Sequence, residues 1–296
     1  MKTLFITGAT GLIGQSVTQH LVKHGYKVLA LSRSSRSDQR IQELGAKPIR
    51  GDLRTPEAWI SQTDFCHALI HLATTFTPDM GHIDRGFVKA LVTQTRKSTV
   101  VKTILYTGGC WLYGKTGDKV VDETAVFNPL SDFAWMLENA TLFDHASRIK
   151  LRMVHPALVY HETGGCLARM IEDIRLGRAI EIWGNPKTRW PLIHRDDLAT
   201  AYRLILESNT ERKHFNAVTE QGIGILEIAQ RLVTQFGAQE KFTFLSEQEA
   251  LEKYGSSARG PMLDQQMRSI WLTSETAWHP KRTFEKTFVR PLKNRK

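Results

Sequence analysis

The stretch TGATGLIG, Thr7 to Gly14, constrains this chain more than any other. It directly follows KTLFIT, whose apolar run predicts a buried strand, and it opens a segment of helical spacing that ends near Gly25. A strand that turns into a helix through Gly8, Gly11 and Gly14 has a use for each glycine. One allows the tight turn, one lets the backbone approach a pyrophosphate, and one lets the helix lie close on the strand. The N–H groups and dipole of a helix N-terminus then attract phosphate. A plain glycine-rich turn is the other reading, but spacing, position and the following strand YKVLALS favour a dinucleotide site to which Thr10, Leu12 and Ile13 also contribute.

The rhythm set there continues. PIRGDL, ALIHLAT, KTILYTG and IKLRMVHPALVY read as further strands, with helices expected near Asp38–Leu44, Ile83–Thr99 and Ser131–Arg148. Strands alternating with helices predict an α/β protein: a doubly wound parallel sheet of Rossmann type, with a smaller C-terminal substrate-binding domain. Regularity is lost from about Gly164. Residues 1–163 are therefore expected to bind the dinucleotide, with later segments returning to them, and residues 164–296 mainly to bind substrate.

Composition narrows the function classes. Cys66, Cys110 and Cys166 are odd in number and widely separated, which argues against a disulfide framework or a metal site and fits a reducing cytoplasm. No apolar run approaches the ~20 residues of a membrane span. KTLFIT begins right after the initiator and leaves no room for a leader peptide, so a cytoplasmic protein, monomeric or homodimeric, is expected. The net charge of +10 is dispersed except in the tail from Lys281 to Lys296, which reads as a solvated terminus. Without a clustered basic patch or a motif-bearing helix, no nucleic-acid partner is expected.

The end of the second strand, LALSRSSRS, bears on which dinucleotide is bound. An NAD site places a carboxylate about 20 residues beyond the glycine loop, and that carboxylate would repel a 2′-phosphate. Here the positions are Ser32 and Arg33, with Ser34 and Arg36 close by and no acidic residue between Gly8 and Asp38. A guanidinium fork and neighbouring hydroxyls suit a phosphate, so the cofactor expected is NADP(H).

TGATGLIG, the GDL of Gly51–Leu53, the HLA of His71–Ala73, the YG of Tyr113–Gly114 and the HRDDLA of His194–Ala199 occur in an order that resembles extended and atypical short-chain dehydrogenases/reductases, the NAD-dependent epimerase/dehydratase group. The resemblance is strongest before about residue 206. It implies that Asp52, with Leu53, lies at the adenine and that Leu72 and Ala73 line the cofactor beside the ribose. It also implies a tyrosine proton donor, a lysine four residues later that lowers its pKa, and a serine or threonine on the reacting oxygen. None of the six tyrosines is followed by lysine at that spacing. In the helix where the pair belongs, FAWMLENATL offers either Ala134 and Glu138 or Leu130 and Ala134, and the usual hydroxyl position is Gly109.

The family's mechanism is therefore not carried over. Tyr113, Cys110 and Glu138 are possible stand-ins, with a pocket-wall tyrosine, an inert thiol and a solvated carboxylate as the plain alternatives. Tyr113 with Thr107, the hydroxyl left at the end of its strand and also placed to touch the cofactor, is the preferred pair. On the substrate side, Arg189 suits an anionic or carbonyl-bearing group, with an exposed ion pair as an equal alternative. Trp111, Trp135, Trp183 and Trp190, with Cys110 beside them, read plainly as core packing but would also suit a flat or apolar substrate. Asp196 and Asp197 read as helix capping. The function expected is an NADP-dependent oxidoreductase acting on a small carbonyl, hydroxyl or enone compound. A catalytically silent dinucleotide-binding sensor or partner protein is the alternative, and a nucleotide-sugar-type epimerase or dehydratase comes third.

Overall fold

The computed structural model describes residues 2–97 and 100–288; the tail from 289 onward lies outside the described residues. Its centre is a sheet of seven strands: β1 (Thr3–Thr7), β2 (Lys27–Ser32), β3 (Lys47–Arg50), β4 (Ala68–His71), β5 (Lys102–Thr107), β6 (Ile149–Pro156) and β7 (His214–Ala217). They run parallel in the order β3-β2-β1-β4-β5-β6-β7. The side chains of β1 explain the unbroken apolar runs in the sequence. Leu4 and Ile6 pack in one cluster with Val17 and Leu21 of α1 (Leu12–Lys23), whereas Phe5 faces the other way and stacks on Trp59 at 5.4 Å. Both faces of β1 are covered, so it reads as an unbroken apolar run rather than an alternating one.

Helices α2 (Ser35–Glu43) and α3 (Met80–Thr95) lie where helical spacing predicts them, within a few residues at each end. The helix expected over Ser131–Arg148 is shorter. A 3-10 turn, Ser131–Phe133, leads into α4 (Trp135–Ala140), and a second turn, Thr141–Phe143, ends it. Side-chain bonds draw this segment onto α3: the Asn139 amide donates to the Gly81 carbonyl at 3.0 Å and to the Asp84 carboxylate at 2.8 Å.

After β6 the chain builds a second lobe. Its four-stranded sheet has the order Glu220–Gly224, Arg189–His194, Leu158–His161, Gly164–Gly165. Around Tyr160, Met170 and Trp190 this lobe packs α5 (Ala168–Arg175) and, further along the chain, a helix over Ile225–Phe236. Between those two, α6 (Arg195–Glu207) returns to pack on α1, and β7 joins the edge of the main sheet. Residues 195–217 thus complete the half that carries the glycine turn.

The ends of α6 are held by side chains from elsewhere in the chain. His194 is its N-cap, accepting the Asp196 N–H at 3.2 Å. Asp196 and Asp197, read from sequence as caps, lie in the first turn. Asp196 accepts the Ser16 hydroxyl, and buried Asp197 accepts the N–H groups of Lys281 and Arg282. At the other end, the buried guanidinium of Arg152 on β6 donates to the carbonyls of Ile205, Ser208 and Thr210. Among the described residues no helix is long and apolar enough to cross a membrane.

Candidate functional site

The sheet order reverses beside β1, whose neighbours are β2 and β4, and open α/β sheets hold ligands at such a point. The three glycines there answer to different constraints. Gly8 has φ +77°, and a Cβ on it would lie 2.7 Å from the Ala73 nitrogen. A Cβ on Gly14 would lie 2.0 Å from the Gly8 carbonyl oxygen. On Gly11 it would meet nothing nearer than that same oxygen at 3.4 Å. Packing therefore demands Gly8 and Gly14 but not Gly11, whose bare backbone faces the cleft. Gly11 is also the N-cap of α1, with no side chain bonded to the helix end and no acidic residue in the first turn. The free N–H groups and the dipole fit a pyrophosphate.

The cleft brings together Gly8, Thr10, Gly11, Leu12, Ile13, Gly14, Arg33, Asp52, Leu53, Leu72 and Ala73, all singled out from sequence. Leu31, Ser37 and the loop Thr74–Phe76 also line it. At its far end Arg33 is exposed, whereas two of the expected hydroxyls are already engaged. Ser32 is buried and donates to the Ser34 carbonyl at 3.2 Å, and Ser34 caps α2 by accepting the Ser37 N–H. Arg36 opens instead on an adjoining hollow that it shares with Ser37 and Arg40. Ser37 could have been found from the cap: a helix starting after Ser34 turns its third residue toward the cleft.

Beyond Leu72 and Ala73 lies a second, apolar cavity, lined on its floor by Thr107, Gly108, Gly109 and Cys110 and on its walls by Phe76, Trp111, Phe133, Trp135, Met136 and Pro156–Val159. Thr107 ends β5, and its Oγ1 lies 2.7 Å from the hydroxyl of Tyr202, a wholly buried residue of α6. Burial raises the phenol pKa of Tyr202 and keeps it protonated. This partner lies 95 residues away in sequence, and only the return of α6 to the sheet brings it to Thr107. Burial pushes the Cys110 thiol up to about 12, so it is not a nucleophile near neutral pH.

A polar network also reaches this cavity. The His71 ring lies with Nε2 2.8 Å from the Asp84 carboxylate and with Nδ1 2.7 Å from the Thr7 hydroxyl, hydrogen-bonded to both. The Tyr106 hydroxyl and the Asn139 amide donate to the same carboxylate at 2.6 and 2.8 Å. The bonds tie β1, β4, β5, α3 and α4 together behind the cleft. Among the described residues no group of three or more His, Cys, Asp or Glu could hold a metal ion.

Several sequence expectations for the site need correcting. Tyr113 does not line the cavity. It is buried, tilted against Phe127 at 4.8 Å between ring centroids and donating to the side-chain amide oxygen of Asn216 at 2.8 Å, because the loop after β5 turns that side chain into the core under β7. Glu138 is exposed on the outer side of α4. Arg189 is clamped by Asp264, at 2.7 and 2.9 Å, and by Asp118 at 2.9 Å. Trp190 is buried in the second lobe with its indole N–H on the Pro261 carbonyl, and Trp183 stacks on Tyr254 beneath Arg169. Of the four indoles, Trp111 and Trp135 face the cavity.

The model of the NAD dependent epimerase/dehydratase family matches residues 4–218. An uncharacterised protein of Schizosaccharomyces pombe is 26% identical over 300 residues, covering 94% of each chain. The sterol-4-alpha-carboxylate 3-dehydrogenase (decarboxylating) of Dictyostelium discoideum is 21% identical over 241 residues, 75% of this chain and 73% of that one. Among solved structures, UDP-glucuronic acid 4-epimerase from Bacillus cereus, in complex with UDP-glucuronic acid and NAD, matches with a TM-score of 0.79 at 16% identity, covering 98% of this chain and 97% of that one.

Proposed function

Because the chain belongs to the NAD dependent epimerase/dehydratase family, we propose that it is an oxidoreductase that binds NADP(H) and reduces a small organic carbonyl compound. The observation that carries this reading is the Thr107 hydroxyl, opening on the apolar cavity at the end of the dinucleotide cleft with Tyr202 behind it. NADP(H) rather than NAD(H) is supported by Arg33, which lines the cleft, is exposed and forms no ion pair among the described residues, and by Ser37 beside it. A carboxylate, the feature an NAD site calls for, is missing from the end of β2.

A dinucleotide held in the cleft would supply the hydride, which with one proton on the oxygen converts a carbonyl compound and NADPH to the alcohol and NADP+. Gly11 and the N-terminus of α1 would hold the pyrophosphate, and Leu72 and Ala73 flank the path from cleft to cavity. Between Thr107 and Tyr202 the phenol is the stronger acid, so Tyr202 donates to Thr107 Oγ1 and the threonine's own proton points to the substrate oxygen. That hydrogen bond polarises the carbonyl, and water at the mouth supplies the proton. Among the described residues the titratable side chains lining the cavity are His71, Asp84 and Tyr106, already bonded to one another, and the protonated Cys110 thiol, so none is free to take a proton from an alcohol and reduction is expected to exceed oxidation.

The second reading, a dinucleotide-binding protein without turnover, is favoured by the lack of a Tyr-x-x-x-Lys pair. Kinetics separate the two. With a carbonyl compound that consumes NADPH, Thr107→Ala lowers kcat roughly 10²-fold, the loss expected for one oxyanion donor. Tyr202→Phe lowers it by about tenfold, the cost of one hydrogen bond. Turnover unchanged in both variants removes Thr107 from the reaction.

A further inference from the structure

We infer that the cavity beyond the cleft selects a planar, uncharged, apolar carbonyl compound, such as an aryl ketone or aryl enone, and rejects nucleotide sugars. The inference rests on the oxidoreductase reading and names its substrate class. Four aromatic rings from three separate segments wall the cavity: Phe76 from the loop after β4, Trp111 from the turn after β5, and Phe133 and Trp135 around the start of α4. Trp111 and Phe133 lean on one another at 5.0 Å. Flat apolar surfaces of this kind recognise flat apolar ligands through burial and ring–ring contact.

Phe76 adds a second observation. It is the one described non-glycine residue with positive φ, at 51°, and its side chain is 77% exposed. A phenylalanine there is strained, and a ring so exposed gains little from burial to offset the strain. It lines both the cleft and the cavity, so a ligand spanning the seam would cover it.

Charge decides against a diphosphate. Among the described residues no lysine or arginine lines the cavity, and its carboxylate, Asp84, is already engaged by His71, Tyr106 and Asn139. Arg189, the guanidinium that a sequence reading would offer to an anion, is neutralised twice over by Asp264 and Asp118. A diphosphate entering here would leave water and meet no cation. The polar side chain available to an uncharged ligand on the floor is the Thr107 hydroxyl, which matches the single acceptor of a ketone. At about 220 Å³ the cavity is smaller than the pockets, roughly 300 Å³ and above, that take drug-sized ligands, which suits one or two rings.

The test is binding to the NADP+-loaded protein, read by calorimetry with acetophenone and with UDP-glucose, followed by NADPH consumption with the same two compounds. The ketone is expected to bind and to be reduced, with UDP-glucose inert in both. Phe76→Ala, at a site too exposed to threaten folding, and Trp135→Phe should each weaken ketone binding by about 3- to 10-fold. UDP-glucose binding more tightly than the ketone, or ketone binding indifferent to both substitutions, overturns the substrate class. Ketone binding that responds to both substitutions but gives no reduction upholds the cavity's selectivity and overturns the oxidoreductase reading instead.

Discussion

Gly11 and Gly14 stand three residues apart in one turn, and their substitution should separate folding from binding. Gly14→Ala drives a Cβ into the Gly8 carbonyl, a contact that only movement of α1 off the sheet can relieve, at about 3 kcal/mol. Gly11→Val meets no such wall and fills the space that a pyrophosphate needs. Thermal melts and NADPH titration of both variants should therefore show a destabilised protein for Gly14→Ala and a stable protein without binding for Gly11→Val. The reverse pattern would mean that the turn is structural only. At this scale the sequence was legible where neighbours in the chain are neighbours in space, as in the glycine turn, with Arg33 and Leu72–Ala73 at the adjoining strand ends. It was illegible where the deciding partner lies far along the chain: Asp264, which occupies Arg189, is 75 residues away, and Asn216, which holds Tyr113 in the core, is 103 residues away.

Element by element, strand and helix existence followed from apolar periodicity, while lengths did not where side chains override propensity, as the Asn139 bonds do over α4. The return of α6 and β7 from the second half could not be read from a lost rhythm alone. Arg152 helps fix that return by donating to three carbonyls at the end of the helix that brings Tyr202 to Thr107. Arg152→Met leaves buried acceptors unpaired, which costs roughly 1–3 kcal/mol for an orphaned group. A fall of about 3–8 °C in Tm is expected, with kcat falling more than NADPH affinity because Tyr202 shifts while α1 does not. A variant with unchanged Tm would show that the α6 end is satisfied without the guanidinium.

For the whole molecule, buried titratable groups set how stability responds to acid. Burial holds His155 down at about 3 and His214 and His20 at about 4, against the ordinary 6.5. Below pH 6.5 the unfolded chain binds protons at these three sites that the folded chain refuses, so stability falls as pH falls. Glu220 opposes this. Burial raises its carboxyl to about 7 from 4.5, so between those values the folded state holds a proton that the unfolded state lacks, and stability rises as pH falls. Three sites outweigh one, and Tm should decline from pH 6.5 to pH 5. In Glu220→Gln the decline should steepen because the opposing group is gone. Equal slopes for the two proteins would mean that Glu220 is ionised in the fold.

On the proposed function, a carbonyl compound whose oxygen meets Thr107 would take up the hydride that bound NADPH supplies. The most direct measurement is the fate of deuterium on C4 of the cofactor, with each of the two C4 positions labelled in turn and an aryl ketone as acceptor. Deuterium should appear on the carbinol carbon from one of the two labelled forms of NADPH, and far more slowly from the corresponding NADH. An alcohol product free of deuterium with both labelled forms, or no alcohol at all from protein that binds NADPH, would contradict the account.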